Sequence, residues 1–83
     1  MIRQNVRVSA SLVSNRAKAS ALVQTASRYS SMITLCHGQK VANAKSMLGL
    51  LSLLSGDASE MTLAVEGTDE REAASAVIQL MES

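Results

Sequence analysis

Proline, phenylalanine and tryptophan are absent from the chain, and Tyr29 is its single aromatic residue. A protein that holds single-stranded nucleic acid uses aromatic platforms on which bases stack, so that class has almost nothing to work with here. Cysteine occurs once, at Cys36, which excludes an internal disulfide and suits a reducing compartment. His37 is the only histidine, so Cys36 and His37 are the only soft ligands, too few for a closed zinc site. No carboxylate precedes Asp57, and no nucleophile–base pair can be assembled from the spacing, which argues against a conventional enzyme. Long apolar runs are missing too. The longest, Met47 to Leu54, is broken by Gly49 and Ser52 and falls short of the roughly 20 residues of a membrane span. Met1-Ile2-Arg3-Gln4-Asn5 turns polar at once, without the apolar region of a secretory signal. The expected setting is therefore the cytoplasm, with no cofactor, metal or membrane partner.

What is present suits one small folded unit. At 47% hydrophobic and 18% charged residues the chain is not disordered, and residues 1–83 are expected to form one domain around a thin aliphatic core. The formal net charge of +1 hides a segregation. Arg3, Arg7, Arg16, Lys18, Arg28, Lys40 and Lys45 precede every acidic residue, whereas Asp57, Glu60, Glu66, Asp69, Glu70, Glu72 and Glu82 share the remainder with Arg71 alone. Such asymmetry suggests either a surface that meets an acidic partner or two solvated faces of unlike charge. Direct nucleic-acid binding is not expected, because neither aromatics nor a recognisable motif accompanies the basic residues.

Period-2 alternation of Ile2, Gln4, Val6 and Val8 with Arg3, Asn5 and Arg7 predicts a half-buried strand, followed by a serine-rich loop over residues 9–14. Ala19, Leu22, Val23 and Ala26 then fall on one face of a helix that Asn15 is placed to cap. Residues 32–36 read as a second strand, His37-Gly38-Gln39 as a turn, and residues 40–43 as a third strand in hairpin with the second. Residues 46–53 read as a short, very apolar helix broken at Ser55-Gly56-Asp57. Met61, Leu63 and Val65 mark a fourth strand. A last helix carries Asp69, Glu70 and Glu72 in its first turn and buries Ala73, Ala74, Val77, Ile78 and Met81. The order is βαββαβα. Since helices cannot bury their stripes alone, all three are expected on one face of a four-stranded, mainly antiparallel sheet, an α+β open-faced sandwich. Its expected core is Val6, Val8, Leu22, Val23, Ile33, Leu35, Leu63, Val65, Val77 and Ile78. The middle helix is apolar nearly all round, so Met47, Leu48 and Leu51 are read either as core or as an exposed patch for a partner.

The element order, the run from Val41 through Asn43-Ala44-Lys45-Ser46-Met47-Leu48-Gly49 to Leu53, and the later Val65-Glu66-Gly67-Thr68-Asp69-Glu70 resemble HPr, the histidine phosphocarrier of the bacterial sugar phosphotransferase system. The likeness is especially close to its catabolite-repression variant, Crh. It covers the chain without an obvious gap and implies the HPr-like open-faced sandwich. It also implies two phosphorylation sites. At the first, the family's Leu-His-Thr-Arg-Pro-Ala motif aligns with Ser14-Asn15-Arg16-Ala17-Lys18-Ala19. Asn15 then stands in the place of the phosphohistidine, and its amide has no basic, nucleophilic nitrogen. Ala17 stands where the steadying arginine would be, unless Arg16 substitutes from one position earlier. A helix start with Arg16 and Lys18 near it still favours anions. At the second site, Lys45-Ser46-Met47 matches the regulatory serine residue by residue. The resemblance implies that Ser46 is a substrate of HPr kinase/phosphorylase and that the phosphorylated protein binds the catabolite control transcription factor, with Lys45 expected beside Ser46, able to screen an added phosphate; without the resemblance, Ser46 is a plain helix N-cap. The alternative is an ordinary phosphocarrier that passes a phosphoryl group from enzyme I to sugar permease domains. His37 is read as an exposed turn residue rather than a relocated acceptor.

Overall fold

A computed structural model of the chain describes residues 1–8, 16–54 and 60–82. Within them lie β1 (Ile2–Arg7), α1 (Arg16–Ser27), β2 (Met32–His37), β3 (Lys40–Asn43), α2 (Met47–Leu54), β4 (Glu60–Glu66) and α3 (Glu70–Glu82). The strands form one sheet in the order β1-β4-β2-β3, antiparallel at every junction. Ile2 pairs with Val65 and Val6 with Met61 on one side of β4, and Ile33 with Val65 and Leu35 with Leu63 on the other. Because strand residues alternate between faces, this register lines up Val6, Ile33, Leu35, Met61, Leu63 and Val65 on the face against which the helices pack, and all are buried. The opposite face carries Arg3, Asn5, Arg7, Met32 and Val41, all exposed. It is knitted by a 3.0 Å bond from the Thr62 hydroxyl to Asn5 Oδ1.

Leu22 and Ala26 from α1, Leu50 and Leu53 from α2, and Ala73, Val77 and Met81 from α3 complete the core. Two of the expected core residues fall short. Val23 and Ile78 are half-buried, packed against the core rather than inside it, because each sits at the flank of its helix stripe beside a neighbour, Leu22 or Val77, that takes the central place. Gly38 ends the β2 strand with φ +62° while no non-glycine residue among those described has positive φ. A positive φ at the first central position alone is the mark of a type II′ hairpin turn, which suits strand twist. The hairpin pairs His37 with Lys40. His37 is therefore the last residue of β2 and half-buried, not an exposed turn residue. The serine-rich loop, Asn15 and the Ser55-Gly56-Asp57 break lie outside the described residues.

Helix ends are closed by named partners. The last turn of α1 tightens through Arg28 N–H to the Thr25 carbonyl (3.2 Å) and Tyr29 N–H to the Ala26 carbonyl (3.3 Å). At the other end of the chain the Ala73 amide bonds the Asp69 carbonyl at 2.9 Å, so Asp69 caps α3 and helical residues begin at Glu70. The Met1 amino group lies 2.8 Å from Glu70 Oε2 and ties β1 to that first turn.

Candidate functional site: the Ser46 cap and its surroundings

Between β3 and α2 the chain turns through Ala44-Lys45-Ser46, and Asn43 organises the turn. Its side-chain Oδ1 accepts from the Lys45 amide at 2.9 Å, and its carbonyl accepts from the Ser46 amide at 2.9 Å. This is the local competition by which Asn side chains hold turns. Ala44, buried, donates its amide to the Ile33 carbonyl at 2.9 Å and fastens the turn to β2. Ser46 is consequently fixed as the N-cap of α2. Its carbonyl takes the first helical bond from the Leu50 amide at 2.9 Å, and its hydroxyl oxygen accepts from the Gly49 amide at 3.2 Å. The residue is exposed.

The apolar residues beside it divide. Leu48 is 82% exposed, whereas Met47 and Leu51 are half-buried and packed against the core. The patch expected from Met47, Leu48 and Leu51 is thus centred on Leu48. Helix α2 hangs from the core by Leu50 and Leu53, and that geometry turns Leu48 outward. Lys45 also differs from expectation. Its ammonium donates to the Tyr29 carbonyl at 2.7 Å, 16 residues away in sequence. It thereby supplies the positive charge that the last turn of α1, which has no basic residue of its own, would otherwise lack. It is engaged across the fold rather than held beside Ser46 as a free screen.

On the far side of the same loop lies Asp69. Its Oδ2 accepts the Ser30 amide at 2.9 Å; its Oδ1 accepts the Ser31 amide at 3.0 Å and also the Ser31 hydroxyl. Together, the Ser31 hydroxyl first and the Ser30 amide next, these bonds hold the carboxyl below its ordinary range. Beyond its place at the start of α3, the Asp69 carboxylate thus reaches back to the residues that precede β2. Ser31 itself is fully buried. Gly67 makes that burial possible, since a Cβ at Gly67 would stand 2.6 Å from Ser31 Cα and 2.8 Å from its Cβ.

The basic start of α1 is less built. Arg16 is exposed and Lys18 half-buried, and α1 packs against both α2 and α3. Cys36 is half-buried on β2, opposite Thr62 and Val41. Among the described residues no three His, Cys, Asp or Glu side chains gather as metal ligands, and no helix is long and apolar enough to cross a membrane.

The family model described as the PTS HPr component phosphorylation site matches residues 2–83, which places the chain in a class of small phosphoryl-handling proteins. The HPr-like protein Crh of Halalkalibacterium halodurans is 39% identical over 82 residues, which cover 99% of this chain and 98% of the relative. The phosphocarrier protein HPr of Treponema pallidum is 37% identical over 83 residues, covering 100% of this chain and 94% of that one. Among solved structures, HPr-C-His from Thermoanaerobacter tengcongensis superposes with a TM-score of 0.89 at 35% identity, covering 100% of this chain and 93% of that one. The chain belongs to the HPr family, whose members are phosphocarrier proteins of the phosphotransferase system, and it has their open-faced sandwich.

Proposed function

We propose that this chain is a regulatory member of the HPr family, of the Crh kind, that acts through phosphorylation of Ser46 and protein–protein contacts in carbon catabolite regulation. The observation that carries the reading is the Ser46 hydroxyl, exposed and held on a helix cap. Transfer of the γ-phosphoryl group of ATP to Ser46 Oγ, with loss of the hydroxyl proton and release of ADP, would put about −1.5 to −2 charge there at pH 7. Helix amides at the cap favour that charge through the dipole, so the fold should survive the modification. Leu48, exposed two residues further on in the first turn of the same short helix, supplies an apolar contact near the new charge. A regulator with a basic surface around an apolar pocket fits that pairing; the catabolite control transcription factor is the partner proposed, HPr kinase/phosphorylase the modifying enzyme, and the cytoplasm the setting.

The carrier role requires a nucleophilic nitrogen at the start of α1, and the sequence has Asn15 there, followed by Ala17 and Lys18 where the motif has arginine and proline. The test offers the protein two donors in parallel and maps the product by mass spectrometry. ATP with HPr kinase should modify Ser46, and Ser46→Ala should abolish the modification. Phosphoenolpyruvate with enzyme I should leave the protein unlabelled. Acid-labile labelling from phosphoenolpyruvate, at His37 or elsewhere, would replace the regulatory reading with the carrier one.

A further inference from the structure

Two of the contacts described above meet on one chemical group. The Lys45 ammonium donates to the carbonyl of Tyr29, and Asp69 Oδ2 accepts the amide of Ser30. That carbonyl and that amide belong to the same peptide bond. We propose that the Tyr29–Ser30 peptide is a charged joint between the Ser46 turn and the start of α3, so that negative charge on Ser46 loosens the grip of Asp69 on the α1–β2 loop. The proposal deepens the regulatory reading of Ser46 and rests on it.

The coupling runs through the peptide's own electronics. The unit is planar and rigid, with its carbonyl and amide pointing in opposite directions, and it carries a dipole of about 3.5 D. A cation on the oxygen draws electron density from the nitrogen and makes the N–H a better donor to the carboxylate. The carboxylate in turn makes the oxygen a better acceptor. Hydrogen bonds in such a chain strengthen one another. The Lys45 backbone and the Asp69 carboxylate are both anchored. The Lys45 main chain is pinned through its amide to Asn43 Oδ1, and the second Asp69 oxygen is occupied by the amide and hydroxyl of the buried Ser31. The side chain of Lys45 is the one free variable, and its sequence neighbour is Ser46. A dianion on that exposed serine competes with the neutral Tyr29 carbonyl for the ammonium. When Lys45 turns to it, the peptide loses its cation and Ser30 donates more weakly to Asp69. Coupling of this kind is reciprocal, so the state of the Asp69 contact also biases Lys45.

The test needs no kinase. Ser46→Asp places a permanent negative charge at the cap, and the proton chemical shift of the Ser30 amide reads its bond to Asp69. In the otherwise unchanged chain, Ser46→Asp should move that resonance upfield. In a Lys45→Met background, where the resonance already lies upfield, Ser46→Asp should move it no further. Lys45→Gln guards against a simple packing effect. Its amide can still donate to the Tyr29 carbonyl but is not drawn to an anion, so it should abolish the response to Ser46→Asp. A Ser30 resonance unmoved by Lys45→Met, or a response to Ser46→Asp of equal size with and without Lys45, overturns the joint. Those outcomes are separate from the phosphorylation test: a kinase that ignores Ser46 removes the regulatory reading whatever the Ser30 amide does, and an unresponsive amide removes the joint even if Ser46 is modified.

Discussion

Replacing Ser46 by alanine removes one acceptor and little else, which makes it a clean probe of the cap. The lost bond is the 3.2 Å contact from the Gly49 amide to the serine hydroxyl, and the site is exposed, so water can take the amide. That places the cost in the lower half of the usual cap range, about 0.5–1 kcal/mol. Unfolding entropy of about 2.1 cal/mol/K per residue near the melting temperature gives the 83-residue chain roughly 0.17 kcal/mol/K. Ser46→Ala should therefore lower Tm by about 3–6 °C in a calorimetric melt. Ser46→Asp retains a capping oxygen and adds charge favourable to the helix start, so it should melt close to the parent protein or above it at low salt. The phosphorylated protein should gain about 0.3–1 kcal/mol from the same dipole, a benefit that fades as salt screens it. An alanine variant as stable as the parent, or an aspartate variant less stable than alanine, would show that the serine does not act as a cap. Modification would then no longer be expected to leave the fold intact.

Three further outcomes follow from the packing. Leu22 of α1 is fully buried in the core, so Leu22→Ala should cost about 2–5 kcal/mol in urea unfolding; a loss under about 1 kcal/mol would contradict its place there. Gly67→Ala should cost about 1–3 kcal/mol from overpacking against Ser31, with a further penalty because the backbone there holds φ +156°, and Ser31→Gly should recover part of the loss. Asp69, whose carboxyl is held below its ordinary value of 3.8 by Ser31 and Ser30, contributes stability that is present above that ordinary value and disappears as pH falls through the lower value of the folded state. Asp69→Asn should accordingly lower stability at neutral pH and flatten its acid dependence between those two points, which denaturation midpoints taken from pH 7 to pH 2 would check.

Strands were legible in this sequence because burial on one face leaves a period of two. Met61, Leu63 and Val65 are all buried as that pattern requires, and β3 spans the expected residues 40–43. Helix α3 shows its stripe equally well, apart from Ile78. Helix α2 does not, since a segment of leucines and a methionine interrupted only by Gly49 and Ser52 has too narrow a polar side to fix its orientation. That Leu50 and Leu53 point inward while Leu48 points out is decided by where β3 and α1 lie, and local spacing does not encode it. The same limit hid the Lys45–Tyr29 and Asp69–Ser30 contacts, whose partners stand 16 and 39 residues apart. Asn43 was nearer to being readable, because an asparagine just before a turn commonly captures an amide two residues on. The HPr resemblance located Ser46, but nothing in the motif said where the lysine beside it would reach.

The strand order β1-β4-β2-β3 has a consequence for how the chain comes to be folded. Among the described residues only the β2–β3 hairpin joins neighbours in sequence, and β1 pairs with β4 alone, which also supplies the second edge of β2. A chain leaving the ribosome must therefore hold β1 unpaired until residues 60–66 have emerged, by which time both early helices are already outside. The sheet closes when β4 slides between two segments made long before it, a long-range event that favours slow, all-or-none folding over stepwise growth. A nascent or truncated chain ending before Glu60 exposes the hydrogen-bonding edges of β1 and β2 with their apolar residues uncovered, the condition in which unfinished sheets pair with strangers. In synthesis, aggregation risk for this small protein is thus concentrated in one interval of the chain, and it ends with a single seven-residue strand.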